Sequence, residues 1–205
     1  YLPLSKHLHI ILAFPNTYFS KLSPKGKFEN MASVTEEVKV MLDPSLPPPT
    51  AEASRFGVKD VQDLTWKNLL DAYTCTECGR CTAACPANIT GKLLSPRKIM
   101  MDTRDRLTAV GRNIDINKSF VDDGKSLLDT HISREEIWAC TSCNACVEQC
   151  PVNINPLEII IGLRQYAVME EAQAPTSINA MMSNLENNGA PWKYAQADRA
   201  NWTQQ

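Results

Sequence analysis

All eight cysteines of this chain lie in two short stretches, and the two stretches are nearly the same. The first runs Cys75-Thr-Glu-Cys78-Gly-Arg-Cys81-Thr-Ala-Ala-Cys85-Pro86, the second Cys140-Thr-Ser-Cys143-Asn-Ala-Cys146-Val-Glu-Gln-Cys150-Pro151. Both read C-x2-C-x2-C-x3-C-P. Cysteines at i, i+3 and i+6 let one turning loop present three thiolates to a common centre. The fourth follows just before a proline that turns the chain away. A fold that satisfies both runs must bring two such loops together and hold them.

Three occupants suit sets of four thiols. Disulfides are a poor match, because a repeated C-x2-C-x2-C run with the same trailing C-P is not a pairing framework. Structural zinc normally joins two separate C-x2-C knuckles rather than three thiolates in a row. Cubane [4Fe–4S] clusters use this spacing, and in two-cluster proteins of the pattern the fourth cysteine ligates the other cluster. The sequence therefore predicts cluster I on Cys75, Cys78, Cys81 and Cys150, and cluster II on Cys140, Cys143, Cys146 and Cys85. The crossing would tie the halves together and set the clusters near enough to exchange electrons. From Cys75 to Thr90 and from Cys140 to Asn155, eight of sixteen positions are identical at an offset of 65, an internal pseudo-two-fold.

Around the motifs the pattern is helical. Thr65 is a candidate N-cap for Trp66 to Tyr73, whose Trp66, Leu69, Leu70 and Tyr73 follow helical spacing and lead into Cys75. Ser133-Arg-Glu-Glu136 is a capping box opening a helix into Cys140. Ser95-Pro96 and Asn155-Pro156 each start a helix after a motif. Gly111 is a candidate stop for the first, Gln173 the approximate end of the second, and a short helix near Leu127 is expected between the motifs. Ile178 to Glu186 predicts another helix, stopped near Gly189. Ser33 to Leu42 suits a helix or a strand. Gly79 and Asn144, each between the second and third cysteines, are placed for positive φ. Trp66, Trp138, Ile89 and Ile154 are candidates for an apolar wall around the clusters. No alternating strand pattern occurs, so the expected fold is all-α, with both motifs embedded in helix-loop-helix units.

The chain has 205 residues and a net charge of −2, which gives no case for nucleic acid. Thiolates kept for metal point to a reducing, cytoplasmic setting. Nothing approaches eighteen consecutive apolar residues, so no complete membrane span is expected. The first thirty residues combine an apolar run from Leu8 to Phe14 with Lys6, Lys21, Lys25 and Lys27. That composition matches the cytoplasmic end of a transmembrane helix and its flank, the alternative being an arm packed on the domain. The organisation predicted is a basic juxtamembrane segment at 1–30 and a short element with a Pro-rich linker at 31–54. The two-cluster domain follows at 55–174, then a C-terminal helix and tail at 175–205.

The stretch from Asp63 to Cys81, Gly91-Lys-Leu-Leu-Ser-Pro-Arg97, and the tail segments Asn188-Gly-Ala-Pro-Trp192 and Arg199-Ala-Asn-Trp202 carry a family likeness. They resemble the iron–sulfur region of heterodisulfide-reductase-like membrane oxidoreductases. Ser5-Lys-His-Leu-His-Ile10 is similar to the last transmembrane turn of their nitrate-reductase-γ-like cytochrome b portion. The resemblance implies the α-helical ferredoxin fold of succinate dehydrogenase iron–sulfur domains. It also implies a preceding membrane part, where any haem b would lie, and following CCG domains with the substrate chemistry. His7 and His9 would concern a haem only in that larger protein. Implied partners are the cytochrome b portion, CCG domains or redox subunits and, indirectly, a quinone or flavoprotein, at the cytoplasmic face of the membrane. The function expected is single-electron relay with no catalytic residue in this chain. A catalytic iron–sulfur subunit, or a zinc-stabilised interaction module, is the alternative. There is no G-x-G-x-x-G and no P-loop.

Overall fold

The computed structural model describes residues 7–28, 30–47 and 55–204. Its architecture is all-helical: among these residues the only β-type pairing is an isolated bridge between Leu128 and Ile132. The helices run α1 (Leu8–Tyr18), α2 (Ala32–Leu42), α3 (Trp66–Thr74), α4 (Arg80–Ala83), α5 (Pro86–Ile89), α6 (Pro96–Asn117), α7 (Arg134–Ala139), α8 (Ala145–Glu148), α9 (Pro156–Met169) and α10 (Thr176–Asn188).

Two approach helices deliver the chain to the cysteine loops, and each is started by its own side-chain cap. Thr65 accepts from the Asn68 backbone N–H and opens α3. Ser133 and Glu136 form the expected reciprocal box at α7, with the Ser133 N–H donating to Glu136 Oε2 at 2.9 Å. Each cap satisfies a backbone donor that a helix start otherwise leaves open. Both helices end at the first cysteine of a motif, Cys75 and Cys140.

Within the loops the pseudo-two-fold is a backbone fact. Glu77 and Ser142 both have φ 55°, while Gly79 and Asn144 have φ 81° and 62°. The last two are the left-handed residues that open α4 and α8. Glycine takes that conformation without a Cβ penalty, and asparagine is one of the few others that visit it. After the loops, Ser95 caps α6 and Asn155 caps α9, each with proline at the first helical position.

The core fills between the halves. Ile99 and Met100 of α6, Ile137 of α7 and Ile159, Ile160 and Leu163 of α9 are fully buried together with Leu127, Leu128 and Ile132 from the inter-motif segment. Gly57 and Gly162 allow the chain before α3 to lie against α9: the Val58 N–H donates to the Gly162 carbonyl at 2.9 Å. A Cβ built on Gly57 would stand 2.2 Å from the Tyr166 backbone nitrogen.

A buried arginine organises the polar side of this core. Arg106 of α6, with 0% of its surface exposed, donates Nε to both carboxylate oxygens of Asp60 at 2.9 and 3.0 Å. Its two terminal nitrogens reach Asp123 at 2.6 and 3.1 Å and the Lys125 carbonyl at 2.7 Å. Asp60 caps the short Val61–Asp63 turn and accepts from Leu127 N–H at 3.2 Å. One guanidinium thus joins the segment before α3, helix α6 and the inter-motif loop.

Several expectations change. Gly111 does not stop α6, which runs on until Lys118 takes the left-handed conformation and closes it. No Cβ contact surrounds Gly111, so it is tolerated as an ordinary helix position at the cost of backbone entropy. The short helix expected near Leu127 is an irregular turn, because Leu128 is extended at ψ 139° and Asp129 has φ 71°. Helix α9 ends at Met169 rather than Gln173. The undecided segment around Ser33 is helical, as α2, and α10 ends at left-handed Gly189 as expected. Part of the Pro-rich linker, residues 48–54, lies outside the described residues.

The basic arm is docked. Helix α1 packs along α3, and the fully buried Asn16 ties it down. Asn16 Nδ2 donates to the Val152 carbonyl at 2.9 Å, and its Oδ1 accepts from Lys67 Nζ at 2.9 Å. Lys21 pairs with Glu158, and Lys25 pairs with Glu148 at 3.0 Å. No helix among the described residues is long and apolar enough to cross a membrane.

Candidate iron–sulfur site

The eight thiols line two cavities. The first is lined by Cys75, Cys78 and Cys81 together with Cys150. The second is lined by Cys140 and Cys143 together with Cys85. Cys146 lines both. Cys85 and Cys146 are buried, whereas Cys78 and Cys143 lie exposed at the outer edges.

The walls are apolar. Met100, Val152, Ile154, Pro151 and Pro156 close the first cavity; Leu94, Leu157, Ile160, Pro86 and Pro96 close the second. Of the four wall residues expected, Ile154 alone lines a thiol chamber, at 3% exposure. Trp66 is 61% and Ile89 69% exposed. Trp66 begins α3 and turns outward, its ring edge-on to Phe19 of the docked arm at 5.3 Å. Ile89 ends the short α5 on its solvent side. Trp138 packs partly buried against the core and is covered by the Arg164 guanidinium at 5.1 Å.

Electrostatics follow burial. Burial pushes the Cys75, Cys81 and Cys140 thiols above the usual range, and Cys146 is pushed up to about 12. The neighbouring thiols add to this: Cys150 acts on Cys75 and Cys81, and Cys85 on Cys140 and Cys146. Cys78 goes the other way, because the Arg80 backbone N–H points at its sulfur. Backbone donors also meet the thiols from inside: Ser142 N–H lies 3.4 Å from Cys140 Sγ and Ile154 N–H lies 3.3 Å from Cys150 Sγ.

Cluster and zinc make different demands on these thiols. One zinc ion draws four sulfurs to about 2.3 Å from a point; among the described residues no three His, Cys, Asp or Glu side chains are gathered to hold a single ion. Thiols spread around an apolar chamber, with backbone N–H groups aimed at sulfur, suit a larger centre whose sulfurs also accept hydrogen bonds. The residues fit the cubane. His7 and His9 lie at the first turn of α1 and line neither cavity.

Two family models described as a 4Fe-4S dicluster domain match residues 74–154 and 38–90. The chain is 32% identical to a probable iron–sulfur-binding oxidoreductase, FadF, of Bacillus subtilis, over 98% of this chain and 31% of the relative. It is 31% identical to an EtfAB:quinone oxidoreductase of Syntrophomonas wolfei, over 98% of this chain and 28% of the relative. It is also 33% identical to one component of a ferredoxin/F(420)H(2)-dependent CoB-CoM heterodisulfide reductase of Methanosarcina acetivorans, over 52% of each chain. The chain thus carries a 4Fe-4S dicluster region and is similar to iron–sulfur oxidoreductases and to a heterodisulfide reductase component. Two [4Fe–4S] clusters are the cofactors of this dicluster protein, and electron transfer is its role. It spans less than a third of the length of the first two relatives.

Sequence reasoning missed three parts of the site. Cys146 borders both chambers, which only packing can reveal. Arg164 donates to the carbonyls of Ile137, at 2.9 and 2.6 Å, and of Cys140, holding the α7 end of the loop in place. Arg80 and Arg97 line the first cavity; they stand in the sequence as ordinary surface charges.

Proposed function

We propose that Cys75, Cys78, Cys81 and Cys150 hold cluster I and that Cys140, Cys143, Cys146 and Cys85 hold cluster II. On this reading residues 55–174 are a two-cluster ferredoxin domain between a membrane cytochrome b portion and cytoplasmic CCG domains of a larger protein or its redox subunits. Single electrons would pass between a haem or quinone site in the membrane and a redox site on the cytoplasmic side. The carrying observation is the shared wall: each chamber has three thiols from one loop and the trailing cysteine of the other, and Cys146 borders both.

A bound cubane accepts and returns one electron, its potential set by hydrogen bonds to sulfur, charge and exposure. The chain supplies the rest. Its prolines and aliphatic side chains exclude water from the chambers. The Ser142 and Ile154 N–H groups donate to Cys140 and Cys150 sulfur and so favour the more negative, reduced form. With four thiolates assigned to each centre, no iron is left open to substrate, which makes the chain a relay rather than a catalytic subunit.

The crossing is tested by single Cys→Ser variants of the anaerobically purified protein, read by EPR after reduction. Cys150→Ser should alter the same signal as Cys78→Ser, and Cys85→Ser the same signal as Cys143→Ser. Pairing of Cys150 with Cys143 instead would refute the crossed assignment.

A further inference from the structure

The two thiol chambers differ in the charged side chains that line them. The second is lined by no ionisable side chain apart from its cysteines. The first carries Glu77, Arg80 and Arg97. Glu77 is engaged, accepting from Arg104 Nη1 at 2.6 Å. Arg80 and Arg97 are exposed, and among the described residues neither guanidinium has an acidic partner. Arg97 Nη1 lies 3.8 Å from the place a Cβ on Gly79 would take, which puts it over the loop that bears exposed Cys78.

The internal repeat argues that the fold does not require these charges. At the place of Arg80 the second half has Ala145, and after the helix-starting proline the second half has Leu157 where the first has Arg97. Leu157 is buried in the second chamber's wall; Arg97 is an exposed member of the first chamber's lining. Two cations with no acidic partner among the described residues share the lining of the chamber that holds exposed Cys78, in a chain whose net charge is −2.

We propose that this basic rim is a docking surface for an electron-transfer protein with an acidic face, and that electrons enter or leave the chain at the Cys75–Cys81 loop. The inference rests on the cluster I assignment above. Redox encounters bury little area and depend on complementary charge for their rate. A local cationic pair at the exposed edge steers an anionic partner to the shortest path to the cluster.

The probes are small ions acting on the cluster-loaded protein. Hexacyanochromate(III), a redox-inert paramagnetic anion, should broaden the Nε–H signals of Arg80 and Arg97 and the amides near Gly79 before those near Asn144. In stopped flow, each reduced cluster gives one electron to ferricyanide, which becomes ferrocyanide, and no proton or leaving group moves. That rate should fall with added salt, and by at least about threefold in Arg80→Gln/Arg97→Gln. Cobalt(III) hexaammine should show the opposite salt dependence. Arg80→Lys/Arg97→Lys should keep the rate. So should Arg112→Gln, about 22 Å further along α6 at 1.5 Å per residue. Equal broadening at Gly79 and Asn144, or the same salt dependence for both oxidants, overturns the docking surface. Iron and sulfide are measured on every preparation: a wild type without them refutes the cluster assignment itself, while a fully loaded protein that fails the ion tests refutes only the rim.

Discussion

Replacing Arg106 by methionine removes a charge from the centre of the fold while keeping most of the apolar stem. Arg106 is wholly buried and makes three contacts with Asp60, two with Asp123 and one with the Lys125 carbonyl. Asp60 keeps only 15% of its side-chain surface exposed, so its carboxylate would be left largely out of water and without its cation. Breaking such a pair from one side costs about 3–5 kcal/mol. The more exposed Asp123, at 26%, adds at the scale of a surface pair, about 0–1 kcal/mol. Against a total stability of about 5–15 kcal/mol for a domain, that is a large fraction. With a urea slope of about 2 kcal/mol/M, a loss of about 4 kcal/mol lowers the midpoint by about 2 M. Anaerobic urea titrations of loaded wild type and variant, followed by far-UV circular dichroism, measure it. Asp60→Asn added to Arg106→Met should recover part of the loss, because the stranded charge is gone. A variant within about 1 kcal/mol of wild type would refute the view that this guanidinium joins the three segments.

Further outcomes follow from other parts of the structure. Gly57→Ala should destabilise the protein by more than about 2 kcal/mol, since its Cβ meets backbone at 2.2 Å and its φ is 72°; Gly111→Ala, in open space on a helix, should stabilise by roughly 0.5–1 kcal/mol in the same assay. Asn144→Gly should retain both clusters, whereas Gly79→Val forces a β-branched residue to φ 81° and should lower the iron content. Trp66→Ala should leave the visible spectrum and the reduction potentials unchanged, and Ile154→Asn should shift them, as potentiometric titration would report. Burial pushes the Cys146 thiol up to about 12 and raises Cys75, Cys81 and Cys140 as well. Each raised thiol must release its proton on binding iron, so loading is favoured by alkali and weakens toward acid. Iron uptake in reconstitutions at about pH 8 and about pH 6 checks the sign.

What was legible in the sequence was what depends on local spacing. The caps at Thr65, Ser95, Ser133 and Asn155 and the left-handed Gly79 and Asn144 are each governed by neighbours within a few residues, and each appears as expected. Burial was less legible. Trp66 and Ile154 are both large and apolar beside a motif, but Phe19, just after α1, gives Trp66 an outward partner while the turn after Cys150 directs Ile154 into a chamber. Arg106 gave no signal, because a buried arginine is recognisable only once Asp60 and Asp123 are known to converge on it. Gly111 misled for a related reason: a glycine ends a helix only where the chain then turns, and the turn at Lys118 comes seven residues later.

The central claim is two cubanes held by eight thiols in one helical unit, and chemical analysis of anaerobically purified protein tests it most directly. About eight iron and eight acid-labile sulfide per chain are expected. A colourless protein carrying two zinc and no sulfide would contradict it.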